Sequence, residues 1–177
     1  MSSKITAEQQ QLMDQLAHVD QEVILDTIKA ISEVGNEAFV SPLIGCYLRN
    51  DELEIKTAVL NIFADLHNTK AMDAYILQIC ALDDDKFDGP LLSAIWQGKY
   101  SVSEFLGLVV NKALGHSFEA MFELNTILEN TIETYSEETQ LECLLAVKKH
   151  MSENPESELL AMSQECEKHL KALTIEE

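Results

Sequence analysis

The chain has 177 residues, of which 46% are hydrophobic and 6% aromatic, a balance typical of a globular protein that can bury a substantial core. Its 31 acidic residues outnumber the 12 basic ones and give a formal net charge of −19, which disfavours binding to nucleic acid or to an anionic membrane surface. Because only six glycines and three prolines are available for β-turns, an all-α fold is favoured.

Residues suited to cap helix N-termini recur along the chain, because their side chains accept hydrogen bonds from the first free backbone N–H groups. Two of them form candidate capping boxes, Thr6 with Gln9 and Ser101 with Glu104. The candidate N-caps and helix starts are Thr6, Asp20, Asn36, Asn50 with Asp51, Asn68, the run 83–85, Ser101, Ser117, Ser136 and Asn154. Ten helices are therefore predicted, over about residues 5–19, 20–35, 36–49, 51–67, 68–80, 86–97, 101–114, 117–132, 136–147 and 154–173.

One predicted helix carries a regular apolar stripe, and other parts of the chain repeat it at a fixed offset. Its apolar residues recur at steps of three and four: Ile55, Ala58, Val59, Ile62, Phe63 and Leu66. A backward shift of 32 positions places Ile55 on Val23, and a forward shift of 32 places it on Phe87. Three or more helical units at one period predict a solenoid, here of about five antiparallel helix pairs in a single domain over 1–177.

Segment 55–66, IKTAVLNIFADL, resembles the second-helix pattern of the HEAT-repeat family. Pro42 and Asp51 match the first-helix proline and the inter-helix aspartate of that family, and segment 91–106 is similar to small bacterial HEAT-type proteins of unassigned activity. The resemblance implies a right-handed α-solenoid. In one respect the chain departs from the family: only Lys56 is basic at a position often held by arginine, so the Asp–Arg ladder between repeats is expected to be missing.

No catalytic or metal-binding pattern stands out in the sequence. The acidic stretch 83–89, DDDKFDG, lacks the alternating oxygen ligands and the twelfth-position Glu of a calcium loop, so we interpret it as a helix cap. The five histidines show no zinc spacing, and no CxxC, nucleophile-elbow or phosphate-loop motif is present. We therefore expect no cofactor, no metal and no enzymatic activity.

Five residues are candidate partner contacts on the second helices, which form the concave face in HEAT-type stacks: Leu25, Thr57, Asn61, Trp96 and Phe122. Trp96, the single tryptophan, is either an exposed aromatic anchor or a core residue that fills space where its repeat deviates. For Leu25 and Phe122 the competing interpretation is simple irregularity of the repeats.

The preferred hypothesis is a non-enzymatic scaffold that binds a protein partner on this second-helix face. The acidic surface predicts a partner with a basic segment and no nucleic acid or membrane partner. The alternative is a HEAT-like protein of lyase type or one that binds a small ligand, with the region of Trp96, Tyr100 and Phe122 as its candidate site. The N-terminus lacks an export signal and no apolar run is long enough to span a membrane, so a cytoplasmic location is expected.

Overall fold

The computed structural model describes residues 5–34 and 36–176, and within these ranges the chain is mostly helical, which confirms the all-α class. The α-helices are α1 Ala7–Gln15, α2 Gln21–Val34, α3 Val40–Arg49, α4 Leu53–Ala64, α5 Thr69–Cys80, α6 Ser93–Gln97, α7 Leu106–Ala113, α8 Phe118–Asn130, α9 Glu137–Glu153 and α10 Leu160–Ala172. Short 3₁₀ turns at Glu37–Phe39 and Gly89–Leu92 precede α3 and α6. None of the helices in the described ranges combines the length and apolarity that crossing a bilayer requires.

Several predicted N-caps are confirmed by their hydrogen bonds. Thr6 and Gln9 form the reciprocal capping box at the start of α1. Asn36 caps the 3₁₀ turn before α3, and the Asn68 side chain accepts from two backbone N–H groups at the start of α5. The helices α8 and α9 begin after serine caps, Ser117 and Ser136.

Two predicted N-caps are wrong because an asparagine closes the preceding helix instead. Asn50 ends α3 and donates from its side chain to the Cys46 carbonyl, so α4 begins at Leu53 without a side-chain cap from Asp51. Asn154 likewise ends α9, which delays the start of the last helix to Leu160. In both places the sequence marks a helix boundary, but the asparagine satisfies C-terminal carbonyl groups and not N-terminal N–H groups.

The predicted helix over 86–97 is also too long, since α6 contains only Ser93–Gln97. Gly89 and Pro90 precede it in a 3₁₀ turn that packs on α8. A Cβ atom on Gly89 would lie 2.5 Å from the backbone nitrogen of Ala120, so this close approach requires glycine. The acidic run 83–85 belongs to the turn before this contact and does not cap α6.

The Ser101–Glu104 capping box is not formed, because α7 begins five residues after Ser101, at Leu106. The Ser101 hydroxyl contacts the Ser103 hydroxyl at 3.1 Å. Between them, Val102 is buried and its backbone N–H donates to the Glu133 side chain at 3.1 Å. This long-range anchor holds the segment in a non-helical conformation that local sequence patterns do not encode.

The chain divides into two compact units, Met1–Gln78 and Ile79–Glu177, which we call the first and the second unit. In the first unit α2 packs against α4, while α1 packs against α2 and α3 against α4. Phe63 lies at the centre of its core, fully buried and stacked on Tyr75 with the ring centroids 4.1 Å apart. The single-domain prediction stays a prediction.

The second unit places α8 against α6 and α10, and α9 against α7 and α10. Its core consists mainly of branched aliphatic side chains, including Leu91, Leu106, Val109, Leu124, Val147 and Leu170. A short parallel strand pair, β1 Thr134–Tyr135 and β2 Thr174–Ile175, was not predicted and ties the entry to α9 to the end of α10.

Candidate functional site

A groove with a volume of about 660 Å³ lies beside α2 and α4 in the first unit. Its floor is apolar and consists of buried side chains: Ile28, Ile31, Phe39, Leu43, Ile62 and Phe63. Its rim is polar and consists of Lys29, Ser32, Asn61, Asp65, His67 and Asn68. An apolar floor with a few polar groups at the edge is the usual composition of a ligand-binding site on a protein. We call this feature the α2–α4 groove.

The α2–α4 groove brings together two of the five predicted contact residues. Leu25 on α2 is half-buried and Asn61 on α4 is exposed, and both line the groove. Thr57 lies one turn before Asn61 and is exposed, but it does not line the groove. The Asn61 side chain has no hydrogen-bond partner among the described residues, which leaves its amide available to a bound group.

Trp96, in the second unit, is half-buried. Its exposure is therefore intermediate between that of an exposed anchor and that of a core residue. Its indole N–H donates to the Glu123 carboxylate on α8 at 2.6 Å. Burial raises the pKa of Glu123 above its ordinary value, although the hydrogen bond from Trp96 acts in the opposite direction. The polar end of Trp96 is therefore already paired, and the residue also lines a cavity.

This second cavity has a volume of about 480 Å³, and we call it the Trp96 cavity. Its apolar lining consists of Ile95, Trp96, Tyr100, Val102, Ile127 and Ile132. Its polar lining consists of Lys99, Asn130, Thr131 and Glu133.

At the C-terminal end of α6, beside this cavity, Lys99 has an unusual backbone conformation. The N–H of Tyr100 donates to the Ile95 carbonyl and that of Lys99 to the Trp96 carbonyl, the hydrogen-bond pattern of a Schellman motif. Lys99 occupies the position in this motif where glycine is preferred, with φ at 53°. A left-handed conformation costs a residue with a Cβ about 1–2 kcal/mol, so the turn after α6 is strained at Lys99.

Phe122 is exposed on α8, and Phe118, one turn earlier, is exposed as well, with 52% and 61% of their surfaces accessible. Residues four apart share one face of a helix, so the two rings form an apolar patch on α8. Sequence analysis selected Phe122 as a candidate contact on a second helix and missed Phe118, which the i to i+4 spacing could have indicated.

Basic side chains contact the acidic stretch 83–88 and the residue before it. The Lys112 ammonium, which is largely buried, donates to the Leu82 carbonyl and pairs with Asp84 at 2.8 Å. The His116 ring contacts the Asp84 carbonyl at 3.0 Å. In the ranges that the structure describes, no group of three or more His, Cys, Asp or Glu side chains is arranged to hold a metal ion.

Sequence reasoning gave no signal for Lys99 or Glu133 as site residues. Their position on one cavity depends on the α6 terminus and on the connection before β1, which are tertiary features. Comparison of the chain with protein-family models, with curated proteins and with solved structures finds no match in any of the three.

Proposed function

We propose that this chain is a non-enzymatic interaction module that binds a segment of a protein partner in the α2–α4 groove. The observation that carries the proposal is the groove itself, since its volume of about 660 Å³ and its apolar floor suit the side chains of a partner. Leu25 contacts the partner's apolar side chains, and Asn61 bonds to its polar groups at the rim.

A right-handed HEAT-like solenoid is the architecture that we propose for this module. Helices predicted to be equivalent in successive repeats are neighbours, as α2 is to α4 in the first unit and α8 is to α10 in the second. Each also packs on the helix that precedes it in sequence, as in stacked helix pairs. These contacts support the proposed repeat without depending on a match to a known family.

The proposed partner segment is basic and carries spaced apolar side chains. Acidic residues outnumber basic ones in both units, so the field around the protein attracts positive charge and raises the association rate. The exposed pair Phe118 and Phe122 offers a second apolar contact in the other unit. Each surface is proposed as a contact in its own right.

A displayed peptide library screened with the whole chain tests the proposal. We expect enriched peptides to be net basic and to carry apolar residues at spacings of three or four. Asn61→Arg, which places a bulky cation at the groove, should weaken their binding at least about tenfold. Thr57→Arg adds the same charge one turn away, outside the groove, and should leave the groove free. Enrichment of acidic peptides, or equal losses for both variants, would contradict the proposal.

The alternative of a small-ligand-binding protein is supported by the sizes of the two cavities, about 660 and 480 Å³, which fall in the range of small-molecule sites. A thermal-melt screen of metabolites distinguishes the two functions. A ligand that binds the folded state stabilises it by RT ln(1 + L/Kd), where L is the free ligand concentration, so the melting temperature rises with the logarithm of that concentration once it exceeds the Kd. A stabilising metabolite whose effect Asn61→Arg abolishes would assign the groove to a small molecule.

A further inference from the structure

Lys99 and Glu133 carry opposite charges, and both residues line the Trp96 cavity without forming an ion pair with each other. Neither side chain forms an ion pair with any other residue in the described part of the chain. Two unpaired opposite charges on one largely apolar cavity favour a ligand that supplies both counter-charges.

Protein contacts fix the position of the Glu133 carboxylate. One of its oxygens accepts the Val102 backbone N–H at 3.1 Å and the Tyr135 hydroxyl at 3.3 Å. Tyr135 is buried, and burial raises its pKa to about 12, so its hydroxyl keeps its proton at neutral pH. The other carboxylate oxygen has no partner among the described residues and is available to a donor on a ligand.

Lys99 keeps its position at the cavity despite an unfavourable backbone. Its φ of 53° lies in the left-handed region, where glycine would be unstrained. Strained positions concentrate at functional sites, where a side chain is needed that the relaxed residue lacks. Here the feature that glycine would lose is the ammonium group.

We propose that the Trp96 cavity binds a free α-amino acid with a large apolar side chain. The ligand carboxylate pairs with Lys99, its ammonium group pairs with Glu133, and its side chain packs against Trp96 and Ile127. A simple carboxylate would be repelled by Glu133, and a simple amine by Lys99, so only the zwitterion is complementary at both ends. This site lies in the second unit and does not depend on the proposed docking in the α2–α4 groove.

Fluorescence of Trp96 reports binding directly, because it is the single tryptophan and lines the cavity. Phenylalanine and leucine are titrated against the intact protein, with calorimetry in parallel to register binding that leaves fluorescence unchanged. The comparison ligands are 3-phenylpropanoate, which lacks the ammonium group, and phenethylamine, which lacks the carboxylate. We expect saturable binding of phenylalanine, at least about tenfold tighter than that of either analogue, because each analogue loses one charge-assisted contact.

Variants that remove one charge test which residue binds the carboxylate of the ligand and which binds its ammonium group. Lys99→Gln should make phenylalanine and phenethylamine bind equally, and Glu133→Gln should make phenylalanine and 3-phenylpropanoate bind equally. Lys149→Gln, which removes an exposed lysine on α9 outside the cavity, is the matched control and should behave as wild type. Circular dichroism melts check that the variants fold; if Glu133→Gln does not, Lys99→Gln alone decides.

Three results would overturn the proposal. The first is no binding of phenylalanine or leucine up to about 10 mM by either method. The second is an analogue that binds wild-type protein as tightly as phenylalanine does. The third is undiminished preference for phenylalanine over phenethylamine in Lys99→Gln, since the carboxylate would then be bound elsewhere.

Discussion

At the scale of single residues, Phe63 is the side chain on which we expect the first unit to depend most. It is fully buried and stacked on Tyr75, so Phe63→Ala removes both the burial of the ring and the ring contact. We expect a loss of about 3–5 kcal/mol in the free energy of unfolding. Thr57→Ala, at an exposed site on the same helix, should change stability by no more than about 0.5 kcal/mol. Urea melts of both variants check this, and similar losses would mean that the buried face of α4 is misassigned.

Glu123 should make stability depend on pH. Burial raises its pKa in the folded protein, so its stabilising contribution is fully present below the ordinary carboxyl pKa and is lost as pH rises through the raised value. Glu123→Gln keeps an oxygen that accepts from Trp96 but has no charge to desolvate. We therefore expect the variant to gain stability relative to wild type between about pH 4 and pH 7.

The measurement is a pair of denaturant melts for each protein at the two pH values. Glu129→Gln removes one acid from an exposed site of the same helix and corrects for the general effect of net charge. A relative stability of Glu123→Gln that falls from the acidic to the neutral pH would show that contacts to the charged carboxylate outweigh its desolvation.

At the scale of helices and their termini, two glycines at the ends of α7 should respond to alanine in opposite ways. Gly107 lies within α7, and a Cβ there would meet no atom within 4 Å, so Gly107→Ala should stabilise by about 0.5–1 kcal/mol. Gly115 follows α7 with φ at 74°, and a Cβ there would overlap the His150 ring. Gly115→Ala should therefore cost about 2–4 kcal/mol.

Thermal melts of the two glycine variants provide a test in which each is the control of the other. They add the same methyl group near the same helix, so their difference isolates backbone conformation and the contact with His150. A stabilised Gly115→Ala would mean that the turn after α7 has a different geometry in solution.

The helix termini also show which features of the structure are determined by local sequence patterns. The starts after Asn36, Asn68, Ser117 and Ser136 were predicted correctly, because a cap depends on residues two or three positions apart. The start of α7 was not, because Val102 is held by Glu133, 31 residues further along the chain. Local patterns cannot contain that bond.

The residues of the two candidate sites also differ in how far local sequence patterns indicate them. Sequence analysis placed Leu25 and Asn61 on second helices as candidate partner contacts, and the two residues share one groove. Neither periodicity nor composition pointed to Lys99 and Glu133, because the charges become significant only when the end of α6 and the segment before β1 lie at one cavity. Sequence patterns therefore located the surface of regular helices better than the irregular connections.

At the scale of the whole molecule, the net charge of −19 should lower stability through self-repulsion. Some carboxylates are paired, such as Glu165 with Lys168 and Glu167 with Lys171, both at 2.7 Å. Exposed pairs of this kind contribute little, about 0–1 kcal/mol each, and 12 basic residues cannot neutralise 31 acidic ones. Repulsion should therefore outweigh attraction in the response of the protein to salt.

We expect the melting temperature at neutral pH to rise by at least about 3 °C between about 0.01 M and 0.15 M NaCl, as the screening length falls from about 30 Å to 8 Å. Melts followed by far-ultraviolet circular dichroism measure the change. The control is the same pair of salt concentrations near the isoelectric point of about 4.4, where repulsion is small and the salt effect should largely disappear. An equal rise at both pH values would indicate a general effect of salt on burial, and a fall at neutral pH would mean that ion pairs outweigh repulsion.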